Sequence, residues 1–275
     1  ACLSVVSQTK ADNMFQITPS ASAAKVIAND NCFQVCFTDP NQGTASADYI
    51  ASKGLATKVA VIYNSSDAYS SGIYDNFKAE AAAKGLDLVA SEAFTGDSKQ
   101  DFSSQLSKIK ASGAELIFLP IYYQEASLIL SQAKNAGITA KFFGCDGLDG
   151  LLNIENFDKS LAENVMLLTP FAANATDETT KKFVAAYNAK YDPSTLNQFA
   201  ADAYDAVYIV KAAAEKAGVT GDMSVSDICN ALKGAMTEIT VDGVTGSGMT
   251  WKATGEVNKE PKAVKIENGE YQPMD

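Results

Sequence analysis

The chain contains no arginine and no histidine. Without histidine there is no Ser-His-Asp or Cys-His arrangement for nucleophilic catalysis. Metal ligands are scarce for the same reason. Of the five cysteines (Cys2, Cys32, Cys36, Cys145 and Cys229), only Cys32 and Cys36 lie close together. One C-x3-C pair with no histidine and no second pair argues against zinc. On a strand those two thiols would share a face about 13 Å apart, too far to bridge. An odd count supplies no disulfide framework, so all five are expected free and partly buried.

Positive charge is also short. All 22 basic residues are lysine, against 33 acidic ones, for a net charge of −11. Such a chain cannot neutralise a phosphate backbone, so no nucleic-acid partner is expected. The acidity is spread along the chain and reads as solubility. No stretch approaches 18 consecutive apolar residues, and no signal-peptide pattern opens the chain. Residues 1–7 read instead as the first turns of a helix with no capping residue ahead of them, and an upstream segment is expected.

Cofactor loops are missing too. There is neither a G-x-x-x-x-G-K-[ST] nor a G-x-S-x-G motif. The run from Gly144 to Gly150 is glycine-rich but lacks the G-x-G-x-x-G spacing, and its Asp146 and Asp149 would repel a pyrophosphate. Paired carboxylates could serve acid–base work or a divalent cation. The simpler reading is a βα turn with one ligand-facing and one capping aspartate. No cofactor and no metal are expected.

What is present is rhythm. With 47% hydrophobic and 20% charged residues over 275 positions, the chain can bury one large core or two medium ones. Strand-like runs at 15–17, 58–63, 86–90, 115–119, 141–144 and 165–169 alternate with helical spacings at 69–84, 102–109 and 126–136. Gly85, Gly113 and Gly137 stop those helices. The βαβα order predicts an α/β fold with a doubly wound parallel sheet. After Pro170 the rhythm changes to long helices at 177–190, 194–216 and 224–233, then a turn-rich tail. In the second of these helices Phe199, Ala203, Val207 and Val210 share one face. Thr38-Asp39-Pro40 and Thr169-Pro170 each set a proline just after a strand-like run, as at a crossing segment or hinge.

In a doubly wound sheet, ligands bind beyond the C-terminal ends of the strands. Those ends here carry 18–22 (Thr-Pro-Ser-Ala-Ser), 64–69 ending in Tyr69, 120–123 with Tyr122 and Tyr123, and 144–146 ending in Asp146. Small hydroxyls and N–H groups at helix starts suit a carboxylate. A carboxylate suits an ammonium, and tyrosine faces cover a neutral side chain. Together they describe a site for a zwitterion.

In this order, these segments resemble the type I periplasmic binding proteins of the leucine/isoleucine/valine-binding family. The run 15–22, Phe37 to Gly43, Val59 to Tyr63, 177–190 with Phe183 and Tyr187, 203–207 and 243–246 carry the likeness. Their order and spacing are more specific than any one motif. The resemblance implies two α/β lobes joined by crossing strands. The first would hold 1–40 and 171–255, the second 41–170 and 256–275. It implies an extracytoplasmic, non-enzymatic substrate-binding protein of an amino-acid ABC transporter, with a membrane permease as partner and hinge closure on the ligand. By position, Ala21 and Ser22 would hold the α-groups, Tyr69 and Tyr122 would be contacts from the other lobe, and Asp146 would take the ammonium. Ser22 stands where threonine is common, and Asp146 where some relatives have glutamate. Ser22 could also be only a helix cap, and Tyr122 and Tyr123 only caps of the sheet. Relatives have two further βα units upstream, roughly 60–80 residues by unit size. Lacking them, the first lobe would be incomplete, with exposed apolar edges. A sugar-binding or sensor domain of the same fold is the alternative, disfavoured by the absence of arginine. An enzyme on a flavodoxin-like sheet would need a base or cofactor loop that is not found.

Overall fold

Val59, Ala60, Val61 and Ile62 are fully buried and belong to the interior of a seven-stranded sheet. The computed structural model describes residues 1–274. Its strands are β1 (Gln16–Thr18), β2 (Cys32–Gln34), β3 (Lys58–Asn64), β4 (Asp87–Phe94), β5 (Leu116–Leu119), β6 (Lys141–Gly144), β7 (Met166–Thr169), β8 (Lys262–Glu267) and β9 (Glu270–Pro273). Its α-helices are α1 (Cys2–Ala11), α2 (Asp39–Ser52), α3 (Ala68–Ala83), α4 (Ser103–Ser112), α5 (Tyr123–Asn135), α6 (Glu178–Asn188), α7 (Gln198–Ala217) and α8 (Val225–Met236).

The larger sheet has the order β4-β3-β5-β6-β7-β8-β9. Strands β3 to β7 pair in parallel, and β8 and β9 add antiparallel. Alternation along β3 divides its side chains between two cores. Val59 and Val61 pack with Ile73, Phe77 and Phe118, whereas Ala60 and Ile62 pack with Ile117, Leu119 and Ile129. Helices on both faces explain why the strand reads as an unbroken apolar run. The pairing of α2 with α3 is close: a Cβ at Gly43 would lie 2.8 Å from the Phe77 backbone nitrogen.

A second group of elements forms around the parallel pair β1-β2. Phe33 and Val35 pack there with Ile209 and Ala213 of α7, Leu232 and Met236 of α8, and Trp251. The Trp251 indole donates to the Gln34 carbonyl at 2.7 Å. Three segments connect this group to the larger sheet: 35–38, 170–177 and 258–261.

The expected elements occur, with differences that have local causes. Gly113 ends α4 in the left-handed conformation, as its position foretold. The helix expected over 194–216 begins at Gln198, because Pro193 to Thr195 form a separate 3-10 turn. Its face carrying Phe199, Ala203, Val207 and Val210 is the outward one, and Val207 is 68% exposed. The buried face is made by Ala201, Asp202, Asp205, Ala206 and Ile209. Small residues allow close docking there, and Asp205 accepts the Val244 and Thr245 N–H groups at 2.8 Å each. The strand β2 stops at Gln34, so Cys36 lies beyond it. All five thiols are free, and all but Cys2 are buried. Among the described residues no helix is long and apolar enough to cross a membrane.

Candidate functional site

The end of β1 meets the start of α2 near the larger sheet, and a site is built there by backbone hydrogen bonds. Thr18, the last residue of β1, accepts the Ala21 N–H through its Oγ1 at 2.8 Å. Gln34, the last residue of β2, donates its Nε2 to the Ala21 carbonyl at 3.0 Å. The Asp39 N–H donates to the Ser22 carbonyl at 3.0 Å. These bonds hold the Ala21-Ser22 turn between the two strand ends and α2. Ser22 is not a helix cap: Ala23 takes that position in the short turn that follows, without a side-chain bond.

Across from this turn stands Tyr69 in the first turn of α3. Its hydroxyl donates to Asp146 Oδ1 at 2.7 Å and accepts the Gly147 N–H at 2.9 Å. Its ring stacks on Tyr122 at 4.8 Å between centroids. Gly147 has to be small, because a Cβ there would lie 2.6 Å from the Tyr69 hydroxyl. A cavity of about 130 Å³ lies between the two sides, lined by Cys2, Ser20, Ala21, Ser22, Val26, Tyr69 and Tyr122. Of the five residues singled out by sequence, four line it, and Asp146 is one hydrogen bond away through Tyr69. Tyr122 is 40% exposed at the rim, while Tyr123 packs into the core and takes no part.

Asp146 is buried, and its backbone N–H reaches Gln42 Oε1 at 3.3 Å. Burial pushes its pKa up to about 6, against the hydrogen bond from the Tyr69 hydroxyl, which favours the ionised form. Asp149 does a different job. Its Oδ2 accepts the Gln198 N–H at 2.6 Å and so satisfies the start of α7. Burial pushes it, too, up to about 6. Gln198 ties the two turns together by donating Nε2 to the Asp146 carbonyl at 2.9 Å.

Sequence reasoning missed Asp39, Gln42 and Gln34. Asp39 is 1% exposed, and burial raises its pKa to about 7. Among the described residues, Asp39 Oδ1, Gln42 Nε2 and Gln34 Oε1 are buried without a hydrogen-bond partner. The available signal was Asp39-x-x-Gln42, two polar residues placed i, i+3 on a helix face that also carries Ser46 and Ile50 inward. The leading charges acting on Asp39 and Asp146 are other carboxylates. The arrangement can therefore receive a cationic group, with backbone N–H groups and hydroxyls beside it for an anionic one. Among the described residues no cluster of His, Cys, Asp and Glu could hold a metal ion.

The family model described as "Periplasmic binding protein" matches residues 1–270. The chain is 33% identical over 221 residues to "Leu/Ile/Val-binding protein homolog 3" of Brucella melitensis biotype 1, covering 79% of this chain and 58% of that one. It thus spans somewhat over half the length of that relative. Among solved structures it is similar to a leucine-binding protein of Thermotoga maritima, with a TM-score of 0.86 and 25% identity, covering 100% of this chain and 76% of that one. It is also similar to the branched-chain amino acid transporter substrate-binding protein of Streptococcus pneumoniae in complex with isoleucine, with a TM-score of 0.84 and 28% identity, covering 98% and 74%.

Proposed function

The chain belongs to the periplasmic binding protein family, and on that premise we propose that it is the substrate-binding component of an amino-acid ABC transporter. The ligand is a neutral amino acid, branched-chain first. The observation that carries this is the junction of Ala21-Ser22 with Tyr69-Asp146 around one cavity. A zwitterion needs an anionic partner for its ammonium, donors for its carboxylate and an apolar cover for its side chain. Asp146 supplies the first, the Ala21-Ser22 turn the second, and the stacked Tyr69 and Tyr122 rings the third. Relatives named for leucine, isoleucine and valine binding support the same class. The sugar alternative has no comparable support.

In this reading the elements around β1-β2 (1–40 and 171–255) form one lobe, and those of the seven-stranded sheet (41–170 and 256–275) form the other. The connecting segments act as the hinge, and closure buries the ligand. The protein works outside the cytoplasm, hands its ligand to a membrane permease and performs no chemistry. The test is titration calorimetry of the 275-residue chain against neutral, acidic and basic amino acids, sugars and deaminated carboxylates. Binding of leucine, isoleucine or valine, lost in Asp146→Ala, is the expected result. Preference for a sugar, or unchanged affinity in that variant, would overturn the reading.

A further inference from the structure

Gln198 opens α7, but its side chain leaves the helix it belongs to. Asn197 is the cap, and its Oδ1 accepts the Ala200 N–H at 3.2 Å. The Gln198 backbone N–H goes to Asp149. The side-chain amide serves neither purpose, and it is fully buried. A buried amide needs partners at both ends, a donor for its oxygen and an acceptor for its nitrogen.

Those partners fix which way round it lies. Its inner end stands 2.9 Å from the Asp146 carbonyl. A carbonyl can only accept, so Nε2 faces it. Oε1 then faces the Thr169 hydroxyl at 3.2 Å. Thr169 ends β7, immediately ahead of the connecting segment 170–177. Its oxygen accepts the Phe171 N–H at 3.2 Å, and its hydroxyl also lies 3.1 Å from the Phe171 carbonyl. Thr169 is thereby tied to the connecting segment on one side and to Gln198 on the other.

The Asp146 carbonyl and the Gly147 N–H are the two ends of one planar peptide group. Gln198 holds the carbonyl end, which the Asp149 N–H shares at 2.9 Å. The Tyr69 hydroxyl holds the N–H end and binds the Asp146 carboxylate as well. The plane is therefore pinned from α7 at one edge and from α3 at the other. It is the plane that leads out of Asp146, and the backbone setting decides which rotamers the side chain can adopt.

We propose that Gln198 is a positioning residue of the candidate site. It ties the Asp146-Gly147 peptide to the start of α7 and to the connecting segment, so that the aim of the Asp146 carboxylate at the ligand's ammonium depends on how the two lobes meet. This rests on the amino-acid reading and the two lobes proposed above. Gln198 belongs to the first lobe, and Tyr69, Asp146 and Thr169 to the second. Gln198 does not line the ligand cavity, so it acts through Asp146.

The experiment pairs amide hydrogen exchange with calorimetric titration of the 275-residue chain. Gln198→Met keeps the size of the side chain and the backbone bond to Asp149 but loses both side-chain hydrogen bonds. In the ligand-free variant the Gly147 N–H should exchange about tenfold faster than in the wild type, while the N–H groups of β3 keep their rates. Thr169→Val removes the donor to Oε1 and should move Gly147 in the same direction. An unmoved Gly147 in Gln198→Met overturns the positioning role. So does an acceleration shared equally by β3, which marks a residue that only supports overall stability. An unmoved Gly147 in Thr169→Val overturns the link to the connecting segment. With leucine as the probe, Gln198→Met should bind about tenfold more weakly, the scale of one buried hydrogen bond. Unchanged leucine affinity beside a faster Gly147 overturns the effect on the ligand. A wild type that binds no amino acid overturns the functional reading instead, and exchange at Gly147 then decides the positioning role alone.

Discussion

The Tyr69 hydroxyl sits between a donor and an acceptor, giving its proton to Asp146 Oδ1 at 2.7 Å while receiving the Gly147 N–H at 2.9 Å. That geometry fixes the proton on the tyrosine side. Burial and the adjacent carboxylate hold the Tyr69 pKa well above its ordinary value. Tyr69 thus serves Asp146 as a neutral donor that supports the ionised carboxylate. Asp146→Asn keeps the shape and removes the charge. It should weaken amino-acid binding by ~2–5 kcal/mol, because a buried ammonium is left without its counter-charge. The ligand-free protein should be no less stable than the wild type at pH 7, since an ionised carboxylate is no longer held in a buried place. Calorimetry and urea denaturation on the same preparation check both halves.

Tyr69→Phe isolates the hydrogen bond. The ring still stacks on Tyr122, but Asp146 loses its donor and the Gly147 N–H loses its acceptor. The Asp146 carboxyl should then titrate above its present value of about 6, and stability should fall by ~1–3 kcal/mol for the orphaned buried N–H. Carboxyl-carbon NMR across pH 4–8 reads the first effect directly. A downward shift would mean the hydrogen bond does not favour the ionised form.

Much of this was legible in the sequence, for physical reasons. A strand buried on both faces must be apolar throughout, so 59–62 declared itself. Helices that end in left-handed glycine advertise their stops, as at Gly113. Strand ends beyond a doubly wound sheet pointed to Tyr69, Tyr122 and Asp146, and these converge. The misses share a cause as well. Asp39 and Gln42 lie in the opening turns of a helix, where an aspartate looks like any first-turn acid, and only tertiary contacts turn them inward. On α7 the alanine-rich sequence offers two faces of similar apolarity. The docked face was decided by what Asp202 and Asp205 bond, which no periodicity reports. The antiparallel seat of β8 beside β7 joins segments about a hundred residues apart, and nothing local encodes that pairing.

The buried aspartates make an unusual prediction for acid stability. Asp39 at about 7 and Asp146 and Asp149 at about 6 are all raised from the ordinary carboxylate range by burial. A carboxyl that holds its proton more tightly when folded stabilises the fold below the unfolded pKa. That contribution is lost as pH rises through the folded value. These three therefore weaken the ligand-free protein between about pH 4 and pH 7. Asp30, held down to about 2 by Lys10 and Lys233, acts in the opposite sense and loses its contribution only as pH falls toward 2. Thermal stability of the free protein should accordingly peak near pH 4–5, in the interval between these two sets. Calorimetric melts from pH 3 to 8 test it, and a midpoint still climbing at pH 7 would contradict it. Added leucine should flatten the neutral side of the curve, by stabilising the folded form and supplying the missing cation.

The last buried charge lies in the connecting segment 258–261. Lys259 and Asp202 are each 1% exposed, with Nζ 3.3 Å from Asp202 Oδ1 and 2.5 Å from the Thr245 hydroxyl. The Thr245 hydroxyl also meets Asp205 Oδ2 at 2.6 Å. One connecting segment is thereby pinned to α7 and to the turn at 244–245. Lys259→Met leaves Asp202 buried without its cation, a change that typically costs ~3–5 kcal/mol. Adding Asp202→Asn to that variant removes the stranded charge and should recover most of the loss, because a buried ion pair and an uncharged replacement are often close in free energy. Urea denaturation of the two single variants and the double variant forms a cycle whose coupling term reports the pair. Strict additivity would show that Lys259 and Asp202 do not act on each other. Strong coupling would identify the pair as the lock between the segment and α7.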